Sequence, residues 1–276
     1  MDEIFKAIVF GAVQGLTEFI PISSTAHLRV IPALLGWEDE GAAFSAVIQM
    51  GTLIATLIYF RNDIINITTG FLKSLNKRDF ARNPESRIFI LIMVGTIPIG
   101  VCGILFKGFI EGDARGLYVI SSSLILLAIV LFIAEKYSKR YKDLNEITLK
   151  DGLIIGLAQA LALIPGSSRS GVTITAGLFR GLKRDTSARY SFLLSIPAIG
   201  LSGLYELYSE RKELLNENFV MLVVGTVVAG IVGYAAIAFL IRFLKTHSNM
   251  IFIIYRIALG LTILIFLSQG ILSNLQ

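Results

Sequence analysis

The sequence predicts an all-α polytopic membrane protein of two inverted-topology repeats, each a re-entrant helical hairpin plus three transmembrane helices. Three observations lead there. Of 276 residues, 54% are hydrophobic and 16% charged, and the mean hydropathy is +0.73; a soluble core does not hide so much apolar surface. Six apolar stretches are long enough to cross a hydrocarbon layer of about 30 Å, which takes about 20 helical residues. Two polar-tipped segments, 145 residues apart at Gln14 and Gln159, look like copies of one another. A broken helix duplicated in both halves of a membrane protein points to one site built from two half-helices.

The elements follow in order. Ile4–Ile20 carries Gln14 and Glu18, runs into the polar cluster Pro21–His27, and is followed by only Leu28–Leu35. It is no cleavable signal peptide, because those polar residues interrupt it. Segments so short enter the membrane and turn back, with their irregular tips buried in protein. Ala42–Phe60, Ile88–Phe106 and Leu117–Ala134 read as spans. Gly152–Ile164 and Val172–Leu178 form the second hairpin, and Tyr190–Leu207, Phe219–Ile241 and Ile251–Leu267 the last three spans. Residues 1–140 and 141–276 are then two repeats of a single membrane domain. The pair Phe44-Ser45 matches Tyr190-Ser191, which extends the repeat beyond the hairpins.

Loop charge orients these elements. Residues 61–87 carry six Lys or Arg, residues 135–151 five and residues 180–189 four. Stretches 36–41, 107–116 and 206–218 are acidic or balanced. Six spans and two re-entrant hairpins place every basic loop in the cytoplasm, with both termini outside. The net charge of +5 is explained by those loops, so no nucleic-acid partner is inferred. The sole cysteine, Cys102, lies in an apolar run, which excludes disulfides and cysteine metal clusters.

The polar tips carry the chemistry. Gln14 and Glu18 stand four apart on one helix face. Pro21 ends that helix, and Ser23, Ser24 and Thr25 are placed to cap the next one. His27 follows Ser24 by three residues, within reach of its proton. In the second hairpin Pro165-Gly166 turns the chain, Ser167, Ser168 and Ser170 supply hydroxyls before Gly171, and Arg169 adds a fork suited to phosphate. Two helix N-termini converging with these groups describe a pocket for a phosphate or pyrophosphate. An isolated membrane Ser more often bonds its own backbone, and an ion pair with Glu18 is the plain alternative for Arg169. An intramembrane Glu, by contrast, is costly enough to read as functional. Trp37 reads as an interfacial anchor, His247 as solvated, and the small residues of Gly225–Gly233 as close helix packing. Gly166–Gly171 lacks the Gly-Lys-Ser/Thr ending of a Walker loop.

The segment Gln14-Gly-Leu-Thr-Glu18-Phe-Ile-Pro-Ile-Ser-Ser-Thr-Ala-His27 and the segment Pro165-Gly-Ser-Ser-Arg-Ser-Gly171 resemble the two signature motifs of the bacterial undecaprenyl-diphosphatase family, bacitracin-resistance type. The resemblance covers the whole chain, including Gln49-Met-Gly-Thr. It implies an enzyme of the bacterial inner membrane that removes the terminal phosphate from undecaprenyl diphosphate and recycles the lipid carrier of cell-wall synthesis. It also implies an inverted-repeat fold and a divalent metal, Mg or Ca, with Glu18 as a ligand. By position the family's catalytic set falls on Glu18, Ser24, His27 and Arg169. Substrate-binding roles fall on Gln14, Ser23, Thr25, Gly166, Ser167, Ser168, Ser170 and Gly171. Many relatives have Glu where this chain has Gln14. The residue set of phosphatidic-acid-phosphatase-type lipid phosphatases is not found here.

A diphosphate repels nucleophiles, so its hydrolysis needs charge neutralisation and alignment. Ser24 would attack the terminal phosphorus while His27 or Glu18 takes its proton. Alternatively Glu18 or the metal activates water. The pocket is expected to open to the outer face, with the lipid tail leaving sideways into the bilayer. A different class stays open, since mid-membrane broken helices also build transporters or flippases of lipid phosphates and anions. The sequence leaves a homo-oligomer undecided.

Overall fold

The computed structural model describes residues 3–37, 40–77, 80, 83–209 and 219–274. The chain starts with a hairpin, α1 (Glu3–Phe19) and α2 (Ser24–Leu35). Then come α3 (Gly41–Tyr59), α4 (Arg61–Lys77), α5 (Pro84–Leu105), the short α6 (Lys107–Glu111) and α7 (Leu117–Tyr137). A second hairpin pairs α8 (Leu149–Gln159), continued by a 3₁₀ turn at Ala160–Leu163, with α9 (Arg169–Phe179). It is followed by α10 (Arg184–Ser209), α11 (Phe219–Leu244) and α12 (Met250–Ser268). Six described helices are long and apolar enough to cross a membrane: α3, α5, α7, α10, α11 and α12. The all-α polytopic class and the six expected spans are thus borne out.

Residues 61–87, expected as a basic loop, contain the helix α4. Ile67 is buried and Ile64 packs beside it, while Phe71 stacks on Phe89 of α5 with centroids 4.2 Å apart. One apolar stripe is enough to dock an amphipathic helix, yet its average hydropathy stays too low to mark it as an element.

The three basic regions come together at one end of the bundle. Arg189 pairs with Asp63, and Arg87 donates to the Asn145 carbonyl. The backbones of residues 141–142 and 181–183 join: Lys142 N–H donates to Gly181 O at 2.9 Å and Lys183 N–H to Lys142 O at 3.0 Å. At the base of α8, buried Asp151 accepts from Lys142 at 2.9 Å and Arg180 at 2.7 Å. Both ends of the second hairpin are therefore stapled to the same end of the molecule. The ends of the first hairpin lie at the other end, where α3 begins. There Trp37 packs on Phe5 and Phe10, with centroids 6.4 and 5.9 Å away. Lys107 pairs with Glu206 at this end. Glu38 and Asp39, from the acidic stretch after the first hairpin, lie outside the described residues, as do residues 210–218.

Packing pairs elements from the two halves. α1 lies against α11 and α8 against α5, while α3 meets α10 and α7 meets α12. Close approach at α5 and α8 requires glycine, because a Cβ on Gly156 would sit 2.4 Å from the Gly95 Cα. Gly11, its counterpart 145 residues earlier, meets Gly225 of α11 in the same manner, with 2.5 Å from a Cβ to the carbonyl oxygen. Small residues at such contacts let membrane helices gain packing energy and bring backbones close. The two hairpin tips consequently meet in the interior.

Candidate active site

Both tips use one local device. α1 stops at Phe19 ahead of Pro21, and Ser23 then adopts φ 76°, ψ 101°, with its hydroxyl accepting from the Ala26 N–H at 3.3 Å. At the second tip Ser168 adopts φ 67°, ψ 108° and accepts from the Gly171 N–H at 3.2 Å. A non-glycine residue held at positive φ costs about 1–3 kcal/mol. The cap bond and the surrounding packing hold it there, and the result is that Ser24 and Arg169 open α2 and α9.

Glu18 is the meeting point. The residue is 5% exposed and four groups donate to its side chain. Gln14 Nε2 and Ser24 Oγ reach Oε2, each at 2.9 Å. Gln49 Nε2 of α3 reaches Oε1 at 2.5 Å and Arg169 Nη2 reaches it at 2.8 Å. Both carboxylate oxygens are thus satisfied, each by two donors. The ion pair weighed as the plain reading of Arg169 is real, but it uses one guanidinium nitrogen. Arg169 Nε and Nη1 are buried and have no partner among the described residues. Leaving such donors unmet is costly, and their planar geometry suits two oxygens of a phosphate. Ser24 and Thr25, at the start of α2, are half-buried.

His27 has partners other than the Ser24 hydroxyl. Its Nδ1 faces Ser23 O and its Nε2 the Tyr255 hydroxyl, both at 2.7 Å. The Ser24 hydroxyl donates to Glu18, and both imidazole nitrogens are engaged by Ser23 and Tyr255. The second tip's hydroxyls serve the tip itself: Ser167 bonds back to Ile164 O at 2.6 Å, while Ser168 caps α9 and lies 3.2 Å from Ser170. Gly166 needs its φ of 89°, and a Cβ there would strike Ile120 O at 2.4 Å.

Comparison with known sequences places this geometry. Residues 7–262 match the family described as bacitracin resistance protein BacA. The chain belongs to that family. It is 55% identical to an undecaprenyl-diphosphatase of Prosthecochloris aestuarii, across 97% of this chain and 98% of the relative. A second, from Myxococcus xanthus, is 52% identical across 99% and 92%.

In this BacA-family chain the broken hairpins bring together Gln14, Glu18, Ser24 and Arg169 as expected; Gln49 joins Glu18 unforeseen, while Tyr255 bonds His27 and Arg256 bonds the backbone of both tips. The sequence places Gln49 in a stretch of the resemblance that carries no role, and Tyr255 and Arg256 inside the apolar span Ile251–Leu267. The signal was present: an amide or a guanidinium inside a transmembrane segment is costly and rarely idle. What sequence could not give was the direction each faces.

Proposed function

We propose that the chain hydrolyses undecaprenyl diphosphate to undecaprenyl phosphate and inorganic phosphate, as a multi-pass protein of the bacterial inner membrane. The observation that carries this reading is the buried Arg169 fork, with two unpartnered nitrogens beside a Ser24 hydroxyl already bonded to Glu18. The names of its relatives point the same way.

Arg169 and the free N–H groups at the starts of α2 and α9 neutralise and orient the diphosphate. Ser24 Oγ attacks the terminal phosphorus as Glu18 takes its proton, and the bond to the bridging oxygen breaks to release undecaprenyl phosphate. Water then hydrolyses the phosphoserine. Glu18 replaces His27 as base in this scheme because it is the group that touches Ser24. Among the described residues no group of three or more His, Cys, Asp or Glu gathers to hold a metal, so a hard divalent cation would have Glu18 as its one carboxylate ligand and would draw its other oxygens chiefly from the diphosphate. Such a cation, when bound, would add charge neutralisation at the diphosphate.

The site would open to the outer face, because the basic end of the bundle belongs in the cytoplasm and the first hairpin enters from the other end. Two inverted repeats would account for the twin strained serines, for Gly11 and Gly156, and for the exchanged packing of α1 on α11 and α8 on α5.

The test is phosphate release from undecaprenyl diphosphate by purified protein in detergent, where no compartments exist. Release supports an enzyme, and binding without release supports a carrier. A phosphoenzyme trapped on Ser24 supports the two-step route, whereas net inversion at a chiral phosphorus would replace it with direct attack by water.

A further inference from the structure

Arg256 lies inside the transmembrane helix α12 and is 0% exposed. An ionised group at that depth is expensive, so a role is the default expectation. Among the described residues its bonds go to backbone carbonyls only. Nε donates to Leu124 O at 3.3 Å and Nη1 to Pro21 O at 3.4 Å. Nη2 reaches Ser167 O at 2.9 Å, Gly166 O at 3.3 Å and Ser123 O at 3.5 Å. One side chain thus spans the tip of the first hairpin, the tip of the second and the middle of α7. Broken helices leave carbonyls without their usual amide partners, and the membrane interior offers no water in their place. A planar fork with five donors is the side chain that can serve several of them at once.

Those carbonyls sit just ahead of the reacting groups. Pro21 precedes Ser24, and Gly166 and Ser167 precede Arg169. The neighbouring Tyr255 acts on the same tip. Ser23 O can only accept, so His27 carries a proton on Nδ1, while its Nε2 bonds the Tyr255 hydroxyl. The two rings are stacked, with centroids 5.6 Å apart and planes within 6°. Room for the fork is kept by Gly171, where a Cβ would come within 2.6 Å of Arg256 Nη1.

The geometry points to Arg256 as a positioning residue: it holds the Pro21 and Gly166–Ser167 turns at the separation that sets Arg169 against Ser24 and Glu18. This inference rests on the function proposed above. Arg256 touches no reacting atom. It acts through Arg169, whose bond to Glu18 at 2.8 Å crosses between the tips. Misplacing a reacting group by about 1 Å can lower a rate about a hundredfold.

The experiment measures phosphate release from undecaprenyl diphosphate in detergent, on monodisperse fractions of the parent, Arg256→Lys, Arg256→Met, Arg169→Lys and the double variant Arg169→Lys/Arg256→Lys. For Arg256→Met, kcat is expected to fall about a hundredfold with KM little changed. Arg256→Lys should recover part of that loss. The double variant should fall scarcely below Arg169→Lys, because both changes disturb one arrangement. A folded Arg256→Met with parental kcat and a lower Tm would overturn the inference and leave Arg256 a stabilising residue. So would a raised KM at unchanged kcat, which would mean contact with substrate, and so would failure of both Arg256 variants to fold. A parent that releases no phosphate would remove the proposed function itself, an outcome distinct from active Arg256 variants.

Discussion

Glu18 receives four donors, of which only Arg169 is charged. Replacing it by Gln turns one acceptor into a donor and leaves at least one neighbour facing another N–H. Glu18→Gln should therefore lower turnover by about a hundredfold or more, the usual worth of a general base, measured as phosphate release by folded protein. Retention of most activity would make the carboxylate a structural partner of Arg169. Arg169→Lys should fall nearly as far as Arg169→Ala, about 10²- to 10³-fold, since a point charge cannot both hold Glu18 and present two further nitrogens. Near-parental turnover by the Lys variant would contradict a bidentate role. At this scale the sequence revealed which residues gather at the tips, because ionisable groups in apolar runs stand out. It could not reveal that Ser24 faces Glu18 instead of His27, which depends on how α2 is rotated about its axis.

Each tip combines a cap bond with a strained backbone, and the two effects separate by mutation. Ser168→Ala removes the bond to the Gly171 N–H and keeps the positive φ, so it should cost about 1 kcal/mol of stability. Ser168→Gly loses the same bond but relieves the strain, and should lie within a few tenths of a kcal/mol of the parent. Thermal unfolding of both variants checks this, and equal losses would mean that φ is not a source of strain. The hairpins were legible because Pro21 and Pro165-Gly166 interrupt apolar runs too short to span. α4 was not, because the contacts of Ile64, Ile67 and Phe71 that hold it exist only once α5 is in place.

Across the whole molecule, the ionic lattice at the basic end links the second hairpin to its neighbours. Burial of Asp151 opposes its charge, but the Thr148 N–H, Lys142, the Thr148 hydroxyl and Arg180 outweigh this and hold its pKa down to about 2 from 3.8. The folded state therefore takes up that proton at lower pH than the unfolded chain. The stability contributed is fully present above the ordinary carboxylate range and is lost as pH falls towards about 2. Unfolding followed from neutral to acid pH should show a shallower decline for Asp151→Asn than for the parent; parallel curves would mean that another group governs acid sensitivity. Sidedness is tested with a single cysteine at Thr25 in a Cys102→Ser background. An impermeant thiol reagent should label it in intact spheroplasts, and bound diphosphate should protect it. Labelling only from the inner face would reverse the orientation.

The sequence by itself determined the membrane class, the six spans, the two interrupted hairpins and the residues at their tips. Each of these follows from local quantities: the length of an apolar run, the position of a proline, the sign of a loop. Tertiary structure decided the rest. Glu18 draws Gln49 from α3 and Arg169 from the opposite hairpin, and Arg256 reaches both tips from α12. In sequence those partners stand 31, 151, 235 and 89 residues apart. Separations of that size carry no periodic signal. They close only when glycine contacts such as Gly156 on Gly95 set the distance between helices, because a buried polar group has no water to satisfy it and must find its partner wherever packing brings one.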